Sequence, residues 1–253
     1  MADAATTADA AHARTLPHED HSFLLRRLHS LSGVLPLGAF LCYHLFENMS
    51  ALRGPAAYDE MVNHVNSMLP RPWFYALELV TIVLPLAYHA LYGVWVAATG
   101  RPNVGHYAYA GNWGYLVQRL TGIVALLFLL VHVGTLRTWV TLLGNHLAPA
   151  PAVKPDALDL VTYRDVAAHL GNPASLGVQS ILAGDHIFVL YLLGTLCTIW
   201  HFTYGLKGFC WTWGIAVGRV AQRRVTVLSW LLFLTLGVAT LTMLLRLRFG
   251  PIG

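Results

Sequence analysis

Apolar residues crowd into five runs, roughly 30–52, 73–99, 115–140, 186–207 and 225–246, and the polar residues gather between them. A helix needs about 20 apolar residues to cross a bilayer. The pattern therefore predicts five transmembrane helices and an all-α integral membrane protein. Pro36 and Pro85 fall inside runs, where neighbouring helices tolerate a kink. The connections at 53–72 and 100–114 are short and rich in Gly, Pro, Asn and Tyr. The long one, 144–185, opens on a Pro/Ala-rich run (Pro149, Pro151, Pro155), and an amphipathic helix is expected over Leu158–Leu170. A surface lid and a plain insertion both fit that loop; insertion is the preferred reading. Residues 1–28 lack the apolar core of a signal peptide and read as a soluble tail, leaving 29–253 as the membrane domain.

Composition agrees. Of 253 residues, 56% are hydrophobic and only 11% charged, against about 25% charged in soluble domains. Lys and Arg set the orientation. With the N-terminus inside, nine lie inside (Arg14, Arg26, Arg27, Arg101, Arg119, Lys207, Arg219, Arg223, Arg224) and seven outside (Arg53, Arg71, Arg137, Lys154, Arg164, Arg246, Arg248). Glu47, Asp59, Glu60, Asp156, Asp159, Asp165 and Asp185 then all fall outside. The net charge of +4 follows from this bias and asks for no nucleic acid. Cys42, Cys197 and Cys210 form no CxxC or CxxCH pattern, which excludes an iron–sulfur cluster and a covalently attached haem.

Ionisable groups within a membrane are costly, and those that persist are usually functional. Four histidines, His44, His89, His132 and His201, sit one each on the first four runs. At about 1.5 Å of rise per residue, His44 lies 14 residues beyond Ser30 and His132 lies 14 beyond Gln118, roughly 21 Å from the inner ends of their helices. His89 is 17 residues past Pro72 and His201 is 15 past His186, roughly 22–26 Å from the outer ends. Neutral imidazole is a common axial ligand of haem iron. The depths predict two haems: a proximal one on His89 and His201, nearer the inside, and a distal one on His44 and His132. A lone transmembrane histidine more often only bridges helices, but four at two matched depths favour ligation.

The chain also repeats itself. Arg27-Leu-His-Ser-Leu-Ser-Gly33 opens the first run and Val117-Gln-Arg-Leu-Thr-Gly122 the third. His89-Ala-Leu-Tyr-Gly93 in the second matches His201-Phe-Thr-Tyr-Gly205 in the fourth. Positions i and i+4 share a helix face, so Gly93 and Gly205 are expected to leave a flat gap beside each histidine, as a porphyrin requires. The other nine histidines (His12, His18, His21, His29, His64, His106, His146, His169, His186) read as ordinary tail, loop or helix-end residues. His29 is set apart because it stands with Ser30 at the inner mouth of the first helix. Arg27, Gln118, Arg119 and Lys207 lie at similar depth. All are candidates to receive haem propionates, and snorkelling to the interface explains them equally well.

These residues resemble a known family. Arg26-Arg-Leu-His-Ser-Leu-Ser-Gly-Val-Leu-Pro-Leu-Gly38 followed by His44 looks like the di-haem, five-helix cytochrome b membrane anchor of bacterial succinate dehydrogenase. So do Tyr75-Ala-Leu-Glu-Leu79, Leu84-Pro-Leu-Ala-Tyr-His-Ala-Leu-Tyr-Gly93, Asn112-Trp113, Gln118-Arg-Leu-Thr-Gly122 with His132, His201-Phe-x-x-Gly-Leu206 and Thr212-Trp213-Gly214. The likeness runs in order over roughly residues 22–245, and the anchors of fumarate reductases share the four histidines. It implies the cytochrome b subunit of a complex with flavoprotein and iron–sulfur subunits, in the bacterial cytoplasmic membrane, with two haem b groups and a quinone substrate, expected to be menaquinone. It implies the haem pairing that depth gives separately. The stretch from Gly171 to Asp185 departs from the family pattern.

No nucleotide fingerprint or cluster ligand is present, so this chain is not expected to oxidise succinate itself. It reads as a wire from an inner iron–sulfur partner to quinone. Glu78, 11 residues outward of His89, and Glu47, one turn outward of His44, are the candidates to relay protons to a quinone near the distal haem; Glu47 also fits a solvated helix end. Glu60 lies nearby without a motif to align it. Two rivals stand beside this reading: the cytochrome b of a formate dehydrogenase or hydrogenase, and a transporter with a histidine-lined path.

Overall fold

The computed structural model describes residues 16–101, 104–138, 161–175 and 184–252. Every regular element among them is helical. Five helices are long and apolar enough to cross a membrane: Ser22–Arg53, Pro72–Thr99, Ala110–Leu136, Asp185–Thr212 and Gly218–Phe249. Large apolar side chains cover the outside of the bundle, with Leu91 75% and Val238 63% exposed. Such a surface suits lipid and not water. The protein is an all-α integral membrane protein.

The first span joins α1 (Leu16–Val34) and α2 (Pro36–Asn48) at Leu35. Proline lacks the N–H that the ladder needs. Bonds from Leu35 N to Leu31 O (3.0 Å) and from Ala39 N to Leu35 O (3.1 Å) carry the helix across the break. The helix begins at Leu16, well inside the stretch expected to be a soluble tail. Phe23, Leu24, Leu25 and Leu28 continue the apolar pattern past Arg26 and Arg27, whose long side chains can reach the interface. A short 3-10 turn, Met49–Arg53, ends the span, and Gly54, at φ +115°, turns the chain into α3 (Pro55–Ser67). A loop was expected here. Pro55 at the first helical position and the alanines after it favour a helix, too short and polar to register as a span.

The second span is α4 (Arg71–Glu78), a π turn (Leu79–Val83) and α5 (Leu84–Thr99). The π turn ends two residues before Pro85, and Leu84 N donates to Leu79 O, five residues back. The third is α6 (Ala110–Val133), which also runs into a π turn, Gly134–Thr138. After α7 (Tyr163–His169) come α8 (Asp185–Thr212) and α9 (Gly218–Phe249). The Pro/Ala-rich run and Leu158 to Leu160 lie outside the described residues.

Helix α1 packs on α5 and α8, α6 packs on α8, and α9 lies along the outer flank of α8. The first four spans thus form the bundle and the fifth braces it. The tightest core lies at the far end, where α2 finishes. Ala51, Tyr58, Tyr163, Tyr191, Leu244 and Leu247 are among its members. Helix α7 is not an amphipathic surface helix: Tyr163, Val166, Ala167, Ala168 and His169 are all buried. Its start is fixed by a reciprocal Thr162–Asp165 capping box and by Asp59, which accepts from Tyr163 N at 2.7 Å. Asn172 then donates to Leu247 O (2.8 Å) and Gly250 O (3.0 Å), closing carbonyls that end α9.

Candidate haem-binding sites

The rings of His89 and His201 face each other edge-on with centroids 6.0 Å apart. Those of His44 and His132 lie 5.9 Å apart toward the far end. Among the described residues no three or more His, Cys, Asp or Glu side chains cluster as a metal cage.

The His89–His201 site has a doubled construction. His89 Nδ1 donates to the carbonyl of His29 at 2.9 Å, and His201 Nδ1 donates to the carbonyl of Gln118 at 3.0 Å. His29 and Gln118 hold matching places in the repeat, Arg27–Gly33 at the end of α1 and Val117–Gly122 within α6. A carbonyl only accepts, so both rings carry their proton on Nδ1 and keep the Nε2 lone pair free. A Cβ at Gly33 would overlap the His89 ring, and one at Gly122 would overlap the His201 ring. Gly93 and Gly205 serve differently from the expectation. The His29 ring lies 3.0 Å from where a Cβ of Gly93 would be, and Gln118 Nε2 lies 3.2 Å from that of Gly205. Each histidine is cradled by a glycine on the facing helix. The glycine one turn along admits the residue whose carbonyl orients it.

The far site is built from side chains. His132 Nδ1 lies 3.1 Å from the Tyr191 hydroxyl. Asn48 Nδ2 lies 3.3 Å from His44 Nδ1 and donates to the His44 carbonyl at 2.7 Å. The Tyr58 hydroxyl donates to Asn48 Oδ1 at 3.4 Å. Burial, with Glu47, Asp59 and Asp165 nearby, pushes the Tyr58 phenol up, so it stays a protonated donor. Phe40 and Phe128, each one turn before its histidine, stack on His44 and His132. This duplicated Phe-x-x-x-His pair is a sequence signal that the histidine spacing overshadowed. Asn48 and Tyr191 gave no such signal.

Glu47 Oε2 is 3.9 Å from His44 Nδ1, and its side chain is only 15% exposed. A solvated helix end does not describe it. Glu78 ends α4, directly before the π turn. At the near end, His29 stacks on His89 at 4.0 Å. Ser30 accepts from Trp213 Nε1 at 3.0 Å, and Arg27 lies over Phe23 and Trp213. Lys207 Nζ lies over Tyr204 and Trp211. Arg119 is committed elsewhere: it donates to the carbonyls of Ala97 and Gly100, capping α5. His169 is not an ordinary loop residue. It is 1% exposed, with its ring edge-on to Tyr191 at 5.4 Å.

No protein-family model matches the chain. The succinate dehydrogenase cytochrome b558 subunit of Bacillus subtilis (strain 168) is 38% identical over 217 residues, covering 86% of this chain and 93% of that one. The chain belongs to the family of succinate dehydrogenase cytochrome b subunits. Members of this family are membrane anchors of succinate:quinone oxidoreductase. The likeness spans nearly the whole relative.

The residues fit the haem that the family name implies. Two imidazoles sharing one metal atom would lie with ring centroids about 6 Å apart, taking the about 2.0–2.1 Å of a zinc–histidine bond as the guide. Both pairs have that spacing, and in the near pair the Nδ1 hydrogen bonds leave Nε2 of each ring free. His29 Nδ1 and Gln118 Oε1 are buried without hydrogen-bond partners beside the near pair.

Proposed function

We propose that the chain holds two haem b groups, one between His89 and His201 and one between His44 and His132. It would connect the iron–sulfur subunit of a succinate dehydrogenase, itself bound to a flavoprotein subunit, to a membrane quinone. The observation that carries this reading is the pair of opposed imidazoles at two depths, each at a separation suited to bis-histidine ligation. The haem supplies one-electron chemistry. The protein supplies the rest: the carbonyls of His29 and Gln118 fix the tautomers of the near pair, buried helix faces exclude water, and the surroundings of each ring set its basicity.

In this reading the N-terminus faces the cytoplasm, where Arg26, Arg27, Lys207, Arg219, Arg223 and Arg224 gather. The near pair of histidines lies on that side. His29, Gln118 and Lys207 stand at its mouth as donors for propionate groups, while the Ser30 hydroxyl is committed to the Arg27 carbonyl and Arg119 is held by α5. Quinone, of the menaquinone class, reacts at the far end, where Glu47 and Glu78 can deliver protons. In this reading the dicarboxylate reacts on a partner subunit, and the work of this chain is electron transfer and quinone chemistry.

The test is to purify the complex, determine the haem-to-chain ratio and titrate the haem bands against potential. Two haems per chain with separate midpoints are expected. His201→Leu should remove one and His132→Leu the other. Retention of both bands in either variant would refute the ligand assignment.

A further inference from the structure

The two histidine pairs differ in what holds them. His89 and His201 are oriented by backbone carbonyls, which no substitution removes. His132 is oriented by a phenol, and behind that phenol stands a buried histidine supplied by the stretch between the third and fourth spans. The Tyr191 hydroxyl lies 3.1 Å from His132 Nδ1, and Tyr191 is 4% exposed. The His169 ring is edge-on to Tyr191 at 5.4 Å, and its Nε2 lies 3.5 Å from Thr135 Oγ1. Thr135 Oγ1 donates to Val131 O at 2.7 Å. With iron on His132 Nε2, the Nδ1 proton must go to the Tyr191 oxygen, and the phenol must then send its own proton elsewhere.

Helix α7 is anchored firmly enough for this to be a built contact. Asp59 and the capping box fix its start, Asn172 ties its exit to the end of α9, and Tyr163 donates from its hydroxyl to Arg246 O at 3.3 Å. His169 is the last residue of α7 and is held between these anchors, facing the Tyr191 ring.

We propose that Tyr191 and His169 are positioning residues for the distal haem: His169 fixes the Tyr191 ring, and Tyr191 accepts from His132 Nδ1, raising the basicity of that ligand. A more basic axial ligand favours the ferric state, so this contact lowers the distal midpoint relative to a haem lacking it. The proposal rests on the reading that His132 is a haem ligand.

The experiment is potentiometric titration of the assembled three-subunit complex, followed at the haem bands and by low-spin electron paramagnetic resonance. Tyr191→Phe keeps the ring and removes the acceptor. It is expected to retain two haems, raise the midpoint of one and leave the other in place. His169→Ala should move the same haem in the same direction. The double variant should move it no further than Tyr191→Phe alone, because one residue acts through the other. Unchanged midpoints in Tyr191→Phe, equal movement of both haems, or fully additive shifts in the double variant would each overturn the proposal. A His132→Leu complex that keeps both haem signals would instead overturn the ligand assignment beneath it.

Discussion

Gln118 and His201 hold each other twice. The His201 ring donates from Nδ1 to the Gln118 carbonyl at 3.0 Å, and the Gln118 side chain donates from Nε2 to the His201 carbonyl at 2.9 Å. This reciprocal pair fixes the axial rotation of α6 against α8 and the ring within it. Gln118→Ala leaves the carbonyl in place but frees the helices to shift. Its expected effect is a loss of about 10–100-fold in affinity for the haem at His201, read by haem loss to a scavenger, with the other haem retained.

Gly122 admits no side chain. Gly122→Ala would drive a methyl into the His201 ring. Overpacking of this kind costs about 1–3 kcal/mol. A lower melting temperature in detergent and a weakened band from one haem are expected. Gly237→Ala is the control, since its Cβ would meet Leu196 at an ordinary 3.7 Å.

Asn172 is 4% exposed and closes two carbonyls at the end of α9. Asn172→Ala leaves both unpartnered in a buried place, at about 1–3 kcal/mol each. Limited proteolysis should cut the stretch after α7 faster in this variant. Equal cutting rates would show that the clamp does not hold α7 down.

Glu78→Gln and Glu47→Gln test the proton path. Succinate turnover with quinone is expected to fall in at least one of them. Turnover with a soluble acceptor that bypasses the haems should stay unchanged. Full quinone activity in both variants would remove the carboxylates from the mechanism.

Much of this was legible in the sequence because a membrane makes hydrophobicity loud and turns residue counts into depth. The five spans followed from apolar run length, and the spatial pairing of His44 with His132 and His89 with His201 followed from rise per residue. What stayed hidden was lateral. Spacing places Gly93 one turn from His89 but does not say that His29 fills the gap, or that Gly33 is what touches His89. Tyr191 reaches His132 from another helix and His169 reaches Tyr191 from a long connection, and no periodicity encodes such contacts; Asn48 stands one turn beyond His44 on α2, where periodicity gives the place but not the bond. The early start of α1 and the helix Pro55–Ser67 were missed because apolar run length ignores short or charged helical turns.

The π turn at Leu79–Val83 changes how the second span can be read on a helical wheel. Eleven residues separate Glu78 from His89, and regular α winding would stack them nearly on one face. A π turn holds an extra residue, so everything on its far side is rotated by about a quarter-turn relative to the near side. The carboxylate and the imidazole therefore look toward different neighbours although they share a helix. A one-residue deletion within Leu79–Val83 that restored α winding would swing one against the other without touching either.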